Sequence, residues 1–165
     1  MKILTISNKS EEKFLKQKTV DFDFSKFSKK EIYDLVAKMK KAMIENNGIG
    51  LSANQIGLNY RVFVAKVPSE NGSKFYAIFN PKIIKTSKEE IDFEEGCLSV
   101  PKKYGLVRRP YSITLEGRDK NNHPIKIKAW GLLARVFEHE VDHLDGKLFI
   151  DRTKNIRDSV TDEKK

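Results

Sequence analysis

Hydrophobic and polar positions recur with two different periods along this chain, and the change of period divides it into helical flanks and a strand-rich middle. Ile32, Leu35, Val36, Met39, Met43 and Ile44 fall at helical spacing, while Lys38, Lys40, Lys41 and Glu45 face the other way. Ser28 and Glu31 match a capping box in front of this stripe, and Asn46-Asn47-Gly48 ends it, so a helix is predicted between them. From Tyr60 onward the period falls to two. Arg61 to Val67 and Lys74 to Asn80 read as strands joined by a hairpin around Asn71-Gly72. Lys82 to Thr86 and Glu90 to Phe93 are expected to pair as shorter strands. Tyr111 to Glu116 and Ile125 to Ala129 form two more, around a turn from Asp119 to Pro124 in which His123 is exposed. Lys2 to Ser7 reads as a short strand before a charged loop, and residues after Ile150 as a frayed polar tail.

Helical spacing returns at Gly131 to Gly146. Leu132, Leu133, Val136, Phe137 and Leu144 give this segment a wide apolar arc, which also contains His139, Glu140 and His143. Arg135, Glu138 and Asp142 form a narrow polar edge, read as its solvated side. Trp130 is expected to pack where the last strand enters this helix. The predicted fold class is α+β: antiparallel β-sheets packed around a central helix, with an additional N-terminal helix.

On that central helix His139 and His143 are one turn apart, so two imidazoles can grip one metal ion. Glu140 completes H-E-x-x-H and is placed to handle the proton of water activated by such a metal. By itself the pattern fits a metallopeptidase equally well, and packed histidines are its bland alternative. Gly48 to Gly57 (GIGLSANQIG) has three glycines beside Asn54 and Gln55, which suits either a close approach of backbone to a ligand or a plain loop. Cys97, the only cysteine, reads by default as a small buried hydrophobe. It could instead be a third metal ligand, or a nucleophile with a histidine base.

Length and charge narrow the setting. At 165 residues the chain fits one domain, 1–165, and a lone cysteine suits a reducing compartment. No apolar run approaches the ~20 residues of a membrane span, and the N-terminus lacks a signal-peptide pattern. The net charge of +9 is spread along the chain. It is read as an aid to solubility, compatible with a transient ribosome contact, and no sequence-specific nucleic-acid motif accompanies it.

Taken together, Gly48-Ile49-Gly50-Leu51-Ser52-Ala53-Asn54-Gln55, Glu95-Gly96-Cys97-Leu98-Ser99 and His139-Glu140-Val141-Asp142-His143 resemble the three motifs of peptide deformylases. The likeness extends over roughly residues 30 to 150. It implies a metal-dependent hydrolase that removes the N-formyl group from the initiator methionine of nascent polypeptides, releasing formate. Cys97, His139 and His143 would bind one divalent metal ion, Fe2+ natively, with Zn2+, Ni2+ or Co2+ as substitutes. Metal-activated water would attack the formyl carbon, with Glu140 as general acid and base. Gln55 and the Leu98 N–H would stabilise the oxyanion. Ile49, Gly50, Glu95, Gly96, Leu132 and Val136 would line the substrate pocket.

The chain also departs from the pattern. Ser52 stands where most members have alanine, Glu138 where glutamine is usual, and Tyr104 where many bacterial members have an arginine that contacts substrate. The polar C-terminus resembles short forms that lack a long terminal helix. A monomer acting on formylated nascent peptides in the cytoplasm of a bacterium or phage-infected cell is expected.

Overall fold

The computed structural model describes residues 1–159. Among them are three α-helices: α1 (Lys9–Leu15), α2 (Lys29–Glu45) and α3 (Gly131–Leu144). The strands are β1 (Gly50–Ser52), β2 (Val62–Ser69), β3 (Gly72–Thr86), β4 (Glu90–Cys97), β5 (Val100–Pro110), β6 (Ser112–Arg118), β7 (Pro124–Trp130) and β8 (Ile156–Asp158). They form an antiparallel five-stranded sheet in the order β1-β2-β3-β6-β7 and an antiparallel three-stranded sheet in the order β4-β5-β8. This is the expected α+β class. β1 and β4 are each the end strand of a sheet.

Local sequence explains most of these elements. Ser28 and Glu31 make the capping box that starts α2. That helix packs on β1 and β2, where Met39, Met43, Leu51, Val62 and Val64 share one core cluster. The central helix α3 lies against β1, β2, β3, β6 and β7 of the larger sheet and β5 of the smaller one. Phe137 and Leu144 on α3 join Phe63, Ile78 and Leu115 in a second apolar cluster. A register shift between Gly96 and Cys97 ends the β4–β5 ladder. Such a bulge re-aims a side chain, and the one re-aimed here is the cysteine.

Several expectations are corrected. Lys2 to Ser7 is not a strand, although the Leu4 and Ile6 N–H groups bond the carbonyls of Gln55 and Ser99. The predicted charged loop contains α1, because the Asn8 side chain accepts from the Ser10 and Glu11 N–H groups and caps it. Lys82 to Thr86 continues β3 and pairs with β6, whereas Glu90 onward pairs with β5, a strand the chain's pattern did not announce. Ile44 lies on the exposed side of α2, and Ala42 takes its place in the core. Trp130 is exposed rather than packed. The polar tail is partly ordered: Ile156–Asp158 pairs with β5 as β8. Residues 160–165 of that tail lie outside the described residues.

Gly146 ends α3 with φ 73°, and a Cβ there would stand 2.5 Å from the Lys16 carbonyl oxygen. Neither the backbone angle nor the space admits a side chain. Gly146→Ala should therefore destabilise the protein by about 1–3 kcal/mol, read as a lower urea midpoint with an unchanged slope.

Candidate active site

Three donor atoms converge where α3 meets the end of β4. The helical spacing brings the His139 and His143 rings together edge to face, with centroids 5.0 Å apart. Cys97 Sγ lies 3.1 Å from His143 Nε2, and the ligand atoms of Cys97, His139 and His143 all fall within 4.8 Å of one another. Burial opposes ionisation of the Cys97 thiol, but the His143 and His139 imidazoles outweigh it and hold the thiol well below its ordinary range. For His139 the order is the same: burial disfavours its charge, while Cys97 and Glu95 raise its pKa well above the usual histidine value. A thiolate with two imidazoles is a donor set suited to a divalent transition metal.

One of those histidines is already committed on its far side. His139 Nδ1 lies 2.9 Å from Glu95 Oε2, which leaves Nε2 as the ring's remaining donor. Glu95 is itself gripped by Arg109, whose Nε and Nη2 donate to its two oxygens at 2.6 and 2.9 Å, and by Arg135 Nη1 at 2.7 Å. Arg109 Nη1 also donates to Asp142 at 2.7 Å, and Arg152 bonds Asp142 from the other side. Although burial works against the Glu95 charge, Arg109 and His139 keep its carboxyl well below the usual carboxylate range. The edge of α3 formed by Arg135, Glu138 and Asp142 is thus buried and not solvated as expected. Arginines supply the counter-charge that makes this burial tolerable. Burial pushes the Glu138 carboxyl up to about 7.

Glu140 occupies the opposite wall with its own partners. Burial raises its pKa, and the two histidines and Ser52 oppose that shift. Ser52 N–H donates to Gln55 Oε1 at 2.9 Å, which turns Gln55 Nε2 toward Ser99 Oγ at 3.1 Å and Cys97 Sγ at 3.6 Å. A cavity of about 490 Å³ opens above these groups. Its lining includes Ile49, Gly50, Gln55, Glu95, Gly96, Cys97, Leu98, Leu132, Val136, His139 and Glu140, with His143 buried behind them. Phe93, Lys102 and Tyr104 also line it, and the Tyr104 ring lies across Gly96.

A family described as "Polypeptide deformylase" matches residues 1–159. The chain belongs to the peptide deformylase family. Peptide deformylase 2 of Gloeobacter violaceus is 43% identical over 126 residues, covering 76% of this chain and 67% of that protein. A probable peptide deformylase from synechococcus phage S-SSM7 superposes with TM-score 0.83 at 42% identity, covering 93% of this chain and 99% of that one. A class I type b peptide deformylase from Acinetobacter baumannii, solved with Met-Ala-Ser bound, has TM-score 0.84 at 28% identity, covering 93% and 98%. The activity of this deformylase is removal of the N-formyl group from nascent peptides.

Sequence pattern missed the arginines behind the site. Alternation along β5 places Gly105, Val107 and Arg109 on its buried face, a signal usable only once that strand is recognised. Arg109→Ala would leave Glu95 and Asp142 short of counter-charge. It should cost the deformylase about 3–5 kcal/mol in urea unfolding, well beyond the effect of the exposed Arg108→Ala.

Proposed function

We propose that Cys97, His139 and His143 hold one divalent metal ion and that Glu140 is the general acid and base of deformylation. The convergence of those three donors beside Glu140 and Gln55 in one cavity carries this reading. When bound, the ion supplies Lewis-acid chemistry, polarising a carbonyl and acidifying water to near neutral pH. Thiolate and imidazole donors suit ferrous iron, zinc, nickel or cobalt, and the ferrous form is the native one in this reading.

The chain's own groups then divide the remaining work. Glu140 accepts a proton from the attacking water and returns it to the amine nitrogen as the C–N bond breaks, so formate and a free N-terminus leave. Gln55 lines the cavity with its Oε1 already bonded and its Nε2 beside Cys97 Sγ, and on substrate binding Nε2 exchanges that long contact for the oxygen on which negative charge develops. The Leu98 N–H, next to Cys97 in the chain, is the second donor. Ile49, Leu132 and Val136 surround the methionine side chain, while Gly50 and Gly96 let the peptide backbone lie close. Glu95 serves by holding His139 rather than by touching peptide, since its oxygens are engaged by Arg109, Arg135 and His139.

The Met-Ala-Ser bound to the Acinetobacter baumannii relative supports a peptide substrate in this cavity. In this reading the protein works as a monomeric catalytic unit over 1–165 near ribosomes in a bacterial-type cytoplasm, a setting that action on nascent chains supports.

After anaerobic purification, formate release from formyl-Met-Ala-Ser should vanish on chelation and return with added Fe2+, while acetyl-Met-Ala-Ser is left intact. Persistence without metal would point to Cys97 as nucleophile, and internal cleavage without formate would point to a peptidase. Replacing Gln55 by Ala should lower kcat by roughly 10²–10³. Glu140→Gln should lose roughly 10²–10⁴ with its metal content intact.

A further inference from the structure

β1 is three residues long, and strand alternation sends Leu51 to one side and Gly50 and Ser52 to the other. Leu51 enters the core, and its two neighbours both touch Glu140. A Cβ on Gly50 would stand 2.2 Å from Glu140 Oε1, so only glycine leaves that oxygen its place. Ser52 Oγ donates to the other oxygen, Oε2, at 2.7 Å, and the Glu140 main-chain oxygen lies 3.0 Å from the same hydroxyl. Ser52 is fully buried and Glu140 nearly so, which excludes bulk water as a substitute partner.

We propose that Ser52 is a positioning residue for deformylation, its hydroxyl holding Oε2 so that Oε1, beside Gly50, is the oxygen that exchanges protons with water and amine. This inference rests on Glu140 being the general acid and base. A carboxylate pivots about its last side-chain bond unless one oxygen is tied, and a pivot would carry Oε1 out of line with the reacting water. The tie survives the proton's arrival. When Oε1 carries the proton, Oε2 remains an acceptor, so the Ser52 bond persists in both states of Glu140. The main-chain oxygen of Glu140 itself, 3.0 Å from the same hydroxyl, is an alternative acceptor for its one proton and keeps the hydroxyl beside that residue on α3.

Ser52 thereby serves both sides of the reaction. Its N–H fixes the Gln55 amide, and its hydroxyl fixes the Glu140 carboxylate. Substitution by alanine separates the two, since the backbone donor remains.

Steady-state kinetics of the metal-loaded enzyme on formyl-Met-Ala-Ser, with metal content measured on each preparation, test this. Ser52→Ala should lower kcat roughly tenfold, the scale of one hydrogen bond to a charged group, with KM and metal content unchanged. In a Glu140→Gln background the same substitution should alter the residual kcat by less than about twofold, because the group it orients no longer acts. Wild-type kcat in Ser52→Ala, a rise in KM without loss of kcat, or an equal loss in both backgrounds would each overturn the proposal. Full activity in Glu140→Gln alone would instead overturn the assignment of Glu140, so the two failures are distinguishable.

Discussion

The carboxylate of Glu95 meets Arg109, Arg135 and His139 inside the protein, and losing either arginine would leave buried charge with little to answer it. Those partners come from β5 and α3, while Glu95 itself is on β4. The bidentate pair of Glu95 with Arg109 lies within the small sheet, and the bonds from Arg135 and His139 to Glu95 and from Arg109 to Asp142 tie that sheet to the central helix, so the two cannot rotate against each other without breaking charge-assisted bonds. Asp142 repeats the arrangement one helical turn beyond Glu138, joining Arg109 to Arg152. The metal ligands stand on this frame: Cys97 two residues after Glu95, His139 bonded to it, and His143 next to Asp142.

Around that frame the labour is distributed by chain region. The central helix carries two of the ligands and the proposed acid-base group, Glu140, within little more than one turn, so one rigid element sets all three. The cysteine arrives from a hairpin end, turned by a bulge. Segment 50–55 contributes no ligand, yet it carries the proposed oxyanion donor, Gln55, and the serine that bonds Glu140.

Much of this was legible in the sequence, and the failures have physical causes. H-E-x-x-H, the capping box at Ser28, the apolar run of β2 and the alternation in β6 and β7 are local signals, and each led to the observed element. β5 was missed because Pro101, Lys102, Lys103 and Gly105 interrupt its alternation, and its pairing with β4 is decided by tertiary contact. Missing that strand hid Arg109. Without Arg109 the charged edge of α3 had no visible partner, and a solvated face was the natural reading of Arg135, Glu138 and Asp142. Ser52 showed as a departure from the family pattern, but its role depends on a residue 88 positions away.

β1 and β4, each an end strand, both border the same cavity. Unpaired strand edges ordinarily invite aggregation. Here Gly50 of β1 and Phe93 to Cys97 of β4 line a cleft, and the main-chain N–H and C=O groups of a strand match those of every residue of any extended chain. Recognition through such groups is indifferent to side chains beyond the first. A cleft built in this way suits an enzyme whose substrates differ at nearly every position after their shared beginning.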